Sequence, residues 1–165
     1  MTPTTTAGTK DSVRKTLTVE TGAERAFRIF TERHGDWWPL ATHHIGKQPA
    51  RTAVIEPSVG GRWYEKGEDG SECQWGRVLV WEPPHRLVLA WQITADWQFD
   101  PSFITEVELR FIPEGTHSTR VEFEHRNLAA FGAKADSVRE MIGAPGGWPG
   151  ILEKFAALAN EGDKR

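Results

Sequence analysis

The sequence predicts an α+β fold, a curved antiparallel sheet of seven strands with a long C-terminal helix laid along it. Two patterns carry this prediction. From Trp148 the apolar positions Ile151, Leu152, Phe155, Ala156, Leu158 and Ala159 recur at helical spacing, with Glu153, Lys154, Asn160 and Glu161 mostly opposite. Between Arg51 and Arg126, short runs alternate apolar and polar residues and are punctuated by Gly and Pro, as half-buried strands are. A helix with so wide an apolar stripe is not stable alone in water and needs a concave partner. A helix held in a curved sheet leaves a space between the two. The helical segment as a whole runs from Asp136 to Asn160 and is interrupted near its start by Gly143–Gly150.

The elements follow in order. Val13, Lys15, Leu17 and Val19 alternate with Arg14, Thr16, Thr18 and Glu20, which makes a first strand. Thr21, with Glu24 three residues on, has the form of a capping box for a helix that buries Ala26, Phe27, Ile29 and Phe30. A second short helix or turn over His34–Trp38 ends at Pro39, and Ala41–Gln48 reads as a loop. Thr52–Glu56, Arg62–Lys66 and Glu72–Glu82 are strands joined by turns at Pro57–Gly61 and Gly67–Gly70. Pro83-Pro84 stops the third of these. Leu87–Gln92 is apolar on both faces, so cover on both sides is expected. Thr94–Pro101 is a connection. In the last hairpin, Phe103, Thr105, Val107, Leu109 and Phe111 face the helix, as do Thr119, Val121, Phe123 and His125. Their charged neighbours share the solvent face, where opposite charges can pair across strands. The hairpin's turn is expected at Pro113–Gly115, and Asn127–Lys134 is expected to be a loop.

A chain of 165 residues suggests one domain, here 12–161, behind a polar, low-complexity tail over 1–11 expected to be disordered. A net charge of −3 gives no basic footprint for nucleic acid. No apolar run is long enough to span a membrane, and no secretory signal is present. The single cysteine, Cys73, rules out an intrachain disulfide and is expected to pack rather than react, which fits a cytoplasmic protein. Composition leaves a homodimer open. Its outlying feature is eight tryptophans beside one tyrosine. An indole buries much surface but its N–H wants a partner, so eight of them serve as core, as an aromatic pocket, or as both.

Val59-Gly60-Gly61-Arg62-Trp63-Tyr64-Glu65, Trp75-Gly76-Arg77-Val78 and Pro83-Pro84-His85-Arg86-Leu87-Val88-Leu89-Ala90-Trp91 stand in an order and spacing that resemble one superfamily. Thr119–Arg126, followed by Gly147-Trp148 and Ile151-Leu152, extends the likeness over roughly Val13–Ala159. The superfamily is the START-like helix-grip group (SRPBCC), in the branch named after activators of the heat-shock-protein ATPase. The resemblance implies a seven-stranded sheet wrapped round the C-terminal helix and a deep apolar cavity that binds a hydrophobic small molecule in many relatives. Those relatives include lipid carriers and aromatase/cyclase-like enzymes of polyketide pathways, so the fold leaves the activity open.

Three roles therefore stand side by side: a binder of a hydrophobic, aromatic or polycyclic small molecule, an acid–base cyclase, dehydratase or hydrolase in the same cavity, and a co-chaperone-like interaction module. The expected ligand-binding residues are Trp37, Trp38, Trp63, Trp75, Trp91, Trp97, Phe99, Phe103, Thr105, Val107, Phe123, His125 and Trp148. Glu65 and His125 are the polar residues predicted inside, and with His43 and His44 they are the candidate acid–base groups. Trp37, Trp38, His43 and His44 are expected to form a lid over one mouth of the cavity. His34, Asp36, His43 and His44 match no standard metal-ligand spacing, so neither a metal nor a cofactor is expected. Ser58, Ser71, Ser102, Ser118 and Ser137 lie outside any nucleophile motif, and Gly60-Gly61 opens a strand rather than a phosphate-binding helix.

Overall fold

The computed structural model describes residues 11–161. Seven strands form one antiparallel, curled sheet in the order β1-β7-β6-β5-β4-β3-β2. The strands are β1 Ser12–Val19, β2 Ala50–Ile55, β3 Arg62–Gly67, β4 Glu72–Glu82, β5 Arg86–Trp91, β6 Thr105–Gly115 and β7 Ser118–Arg126. Helices α1 (Ala23–Glu32) and α2 (His34–Trp37) connect β1 to β2. After β7 a 3-10 segment, Leu128–Lys134, leads into α3 (Ala135–Gly143) and α4 (Trp148–Glu161). Most of the expected tail lies outside the described residues. Asp11, its last member, is fixed: its carbonyl accepts from Leu128 N–H and its carboxylate from Ala129 N–H.

The alternation in β7 holds residue by residue, with Thr119, Val121, Phe123 and His125 buried and their neighbours half-exposed. β5 is buried from Leu87 to Trp91, as a strand apolar on both faces must be. On the outer face, Glu108 is ringed by Arg86, Arg110 and Arg126. Partial burial works against its ionisation, but hydrogen bonds from Arg86 and Arg126 prevail and hold its carboxyl below the usual range. Sheet curvature comes from bulges that alternation alone does not announce. Trp63 pairs with Gly76 but Tyr64 with Gln74, so Trp75 is the extra residue of β4. Val78 pairs with Leu89 but Val80 with Val88, so Leu79 is a second. Each bulge bends the strand and shifts its facing by one residue. This is how Trp75, Val78 and Trp81 all turn inward along one strand although each is three residues from the next.

Three local expectations give way to tertiary contacts. The capping box does not form: Gly22 is the N-cap of α1 and no side chain caps it. Thr21 is instead buried, its hydroxyl accepting from Arg25 and its carbonyl from the Thr119 hydroxyl. Glu24→Ala should therefore cost less than about 0.5 kcal/mol in urea unfolding, against the ~1 kcal/mol expected when a cap is lost. The last hairpin turns at Thr116-His117 rather than Pro113–Gly115, which stays in β6. The 127–134 segment is a 3-10 turn that buries Leu128 rather than an open loop.

The expected interruption divides the C-terminal helix into α3 and α4. At Gly147 a Cβ would stand 2.3 Å from the Ile142 carbonyl oxygen, so only glycine lets the chain fold back there. Pro149, in the first turn of α4, needs no N–H partner. α4 buries Trp148, Ile151, Leu152, Phe155 and Ala159 in the concave face of the sheet. Phe155 meets Phe30 of α1 and Trp37 of α2 edge-on at 5.3 and 5.5 Å. This end of the groove is solid, and the space left over is at the other end.

Candidate functional site: an indole-walled cavity

A cavity of about 550 Å³ opens between α4, the α3–α4 link, the 42–45 loop and strands β4 and β5. Its wall contains five indoles, those of Trp38, Trp75, Trp91, Trp97 and Trp148. Ile45, Ile93, Met141, Ile142 and Ile151 fill the gaps between them, and backbone passes close at Gly146 and Gly147. The only polar side chains in the lining are Thr42, His43 and His44.

Four of the five indoles are held by their N–H groups, which answers the question their number raises. Trp38 donates to the His43 carbonyl, Trp91 to the Ile93 carbonyl and Trp75 to the Glu65 carboxylate. Trp148 donates to Nδ1 of His125 at 3.0 Å. An indole N–H can only donate, so Nδ1 must be the acceptor nitrogen and Nε2 must carry the proton. Nε2 then donates to Thr105 Oγ1 at 2.8 Å, whose hydroxyl donates to the Trp91 carbonyl at 3.1 Å. This relay ties Trp148 on α4 to Trp91 on β5 through a neutral, fully buried imidazole. His34 repeats the device with the nitrogens exchanged: Nδ1 donates to the Phe30 carbonyl and Nε2 accepts from Trp63. Burial drives both imidazoles down to about 3, only partly offset at His34 by its bond to Phe30.

Glu65 is buried and fully engaged. Its Oε1 accepts from Trp75 Nε1 and Ile45 N, its Oε2 from Gly46 N, at 2.7–3.0 Å. One carboxylate thus fastens a cavity indole and the 42–46 loop together. A Cβ on Gly46 would stand 2.9 Å from Oε2, so the loop passes close over the carboxylate. Farther along, His43 Nε2 donates to the Gly146 carbonyl at 2.8 Å, latching the loop to the α3–α4 link, and its Nδ1 meets the Thr42 hydroxyl. His44 Nδ1 donates to the Gly46 carbonyl at 3.0 Å and lies 4.0 Å from Glu65 Oε2. Its Nε2 has no hydrogen-bond partner among the described residues.

Of the residues expected from sequence, Trp38, Trp75, Trp91, Trp97, Trp148, His43 and His44 come together in the lining. The others lie elsewhere. Trp37 is core, its N–H on the Ile29 carbonyl, because the turn from helix to extended backbone at Trp38 sends the two indoles to different sides. Trp63, Thr105, Val107, Phe123 and His125 lie in the buried layer behind the wall. Phe103 packs on Phe131, and Phe99 bridges Ile93. Asp36 is paired with Arg33 in solvent, whereas His34 is buried. Among the described residues no three His, Cys, Asp or Glu side chains converge as metal ligands. Met141, Ile142 and Ala144 were not anticipated. The signal for them was the Gly/Pro break itself, since a helix interrupted opposite a curved sheet leaves a mouth.

Residues 20–160 match the family described as activator of Hsp90 ATPase homolog 1-like protein. The solved anthrahydroquino-γ-pyrone synthase Txn09 is 38% identical over 91% of this chain and 99% of its own, with a TM-score of 0.64. CalC, a self-sacrificing resistance protein from Micromonospora echinospora, is 32% identical over 94% of this chain and 99% of its own, with a TM-score of 0.70. An HSP90 activator from Plasmodium falciparum is 19% identical over 71% of this chain and 73% of its own, with a TM-score of 0.50, a likeness of fold alone. None of the curated proteins compared matches the chain in sequence.

Proposed function

The chain belongs to the activator of Hsp90 ATPase homolog 1-like family, and from that premise we propose that it binds a hydrophobic, flat aromatic or polycyclic small molecule in the cavity between the sheet and the C-terminal helices. The family lies in the helix-grip superfamily, whose fold is of a small-molecule-binding type. The observation that carries the reading is the wall of five indoles around about 550 Å³. That volume falls within the roughly 300–1,000 Å³ of small-molecule sites, and indole faces stack on flat rings. A relative 38% identical, named as the synthase of an anthrahydroquino-γ-pyrone, supports a fused-ring ligand.

A synthase among the relatives, together with a histidine in the cavity wall, also favours acid–base chemistry on such a ligand as the second reading. Protein docking has less support. Of the exposed large apolar residues, Val59, Trp97 and Met141, the last two stand in the cavity lining. No described helix is long and apolar enough to cross a membrane, and the free Cys73 fits a reducing, cytoplasmic setting.

Trp97 offers the test. It is 46% exposed and sits in the left-handed region at φ 62, in a turn closed by Thr94 N–H on the Gln98 carbonyl. A left-handed tryptophan costs about 1 kcal/mol that glycine does not, and strain of this kind collects at binding sites. Titrated by intrinsic fluorescence, flat fused aromatics should quench saturably where fatty acids do not. Trp97→Gly should weaken that binding about tenfold, the loss of one stacking face, without lowering Tm. A folded protein that responds to no ligand class would reject the cavity reading.

A further inference from the structure

We infer that the cavity takes an acidic phenol or enol on its flat ligand and that His44 Nε2 accepts the hydroxyl proton. The inference rests on the aromatic-binding reading above and assigns the polar end of the ligand. The lining contains no lysine, arginine, aspartate or glutamate. A ligand carrying a charge on entry would therefore lose its hydration with no ion to replace it. A neutral hydroxyl does not face that cost. Of the three polar side chains, His43 spends both ring nitrogens on the loop, one on Gly146 and the other on Thr42. Thr42 is spent on the same contact. What is left is His44. Its Nδ1 is committed as a donor to the Gly46 carbonyl, so in the neutral ring Nε2 holds an unshared lone pair and can only accept.

The surroundings of His44 suit it to hold the proton once taken. The O–H bond of the ligand breaks, the proton passes to Nε2, and the pair becomes an aryloxide beside an imidazolium. Glu65 stands 4.0 Å from Nδ1 and is the carboxylate facing the ring. It is kept in place by its bonds to Trp75, Ile45 and Gly46. The other titratable groups nearby are His43 and Cys73. Burial, with the charges of Glu65 and Asp69, pushes the Cys73 thiol up, so it stays neutral there. The Glu65 carboxylate thus lies on the Nδ1 side of the ring, away from the Nε2 that meets the ligand. The aromatic wall accommodates the ring system, and charge develops only where His44 and Glu65 can answer it.

The test uses 2-hydroxyanthraquinone, whose absorption moves to the red on ionisation, and 2-methoxyanthraquinone, which cannot ionise. The hydroxyl dye bound to the wild-type protein should ionise at least about one pH unit below the free dye, a tenfold change in its ionisation equilibrium. In His44→Asn, which retains a side-chain N–H near the Nδ1 position and removes Nε2, the hydroxyl dye should bind more weakly, and at saturating protein its midpoint should rise to or above that of the free dye, since an apolar site favours the neutral form. An unshifted midpoint in the wild type, or the same lowered midpoint in His44→Asn, would overturn the inference. The wild-type measurement decides even if the variant does not fold. Binding of the methoxy dye separates the two readings. If it binds and the hydroxyl dye is not ionised, only the proton-accepting role fails. If neither dye binds, the cavity reading fails with it.

Discussion

Lowering the pH from 8 to 5 is expected to remove about 4 kcal/mol of this protein's stability, roughly 2 kcal/mol for each of His34 and His125. Both imidazoles are held down to about 3 in the folded protein, against 6.5 when released. Between those values the unfolded chain binds protons that the folded chain refuses. Stability is therefore complete above about pH 6.5 and is lost progressively as the pH falls towards 3, with a limiting slope near 1.4 kcal/mol per pH unit per histidine. Protonation has a specific structural cost. Nδ1 of His125 accepts from Trp148 and Nε2 of His34 accepts from Trp63, and neither nitrogen can take a proton while an indole N–H points at it. Urea unfolding at a series of pH values measures the slope. His125→Gln should be less stable at neutral pH and should show about half the wild-type slope between pH 5.5 and 4. A flat wild-type profile from pH 8 to 5 would mean that the two imidazoles are protonated in place and that the indole locks are not as described. Because the His125 relay joins Trp148 to Trp91, ligand binding should weaken over the same pH range.

Glu65→Ala is expected to cost about 3–4 kcal/mol and to release the loop over the cavity. Three N–H groups lose their acceptor at once, and the Trp75 indole is buried where no water replaces it. An orphaned buried donor costs about 1–3 kcal/mol, and bonds to a charged acceptor stand at the upper end of the range. Amide exchange locates the effect: protection at Ile45 and Gly46 should vanish in the variant while β6 and β7 remain protected. Glu65→Gln keeps one acceptor oxygen but turns an NH₂ towards a donor, so an intermediate loss of about 1–2 kcal/mol is expected. A Glu65→Ala protein within 1 kcal/mol of wild type, with Ile45 and Gly46 still protected, would show that the carboxylate does not hold the loop.

Periodicity determined most of the fold. Thr119, Val121, Phe123 and His125 face inward because a strand repeats every two residues. α4 buries Trp148, Ile151, Leu152 and Phe155 because a helix repeats every 3.6. Both rules are local, so a single sequence displays them, and the order of the elements carried the family resemblance. The sequence by itself also determined that Glu65 and His125 are internal and that Gly143–Gly150 breaks the C-terminal helix. Only the tertiary structure decided what those residues meet. Glu65 finds donors twenty and nineteen residues away, His43 reaches Gly146 across 103 positions, and Thr119 displaces the expected cap at Thr21 from 98 positions off. Periodicity says which face a side chain takes. It does not say which N–H or carbonyl waits on the other side, because that depends on how distant segments register. The same limit explains why Trp63 and His125 lie behind the cavity wall while Trp97 and Met141 form part of it. The two bulges in β4 and the chain reversal at Gly147 set the depth of each side chain, and both are properties of the closed sheet and its helices together.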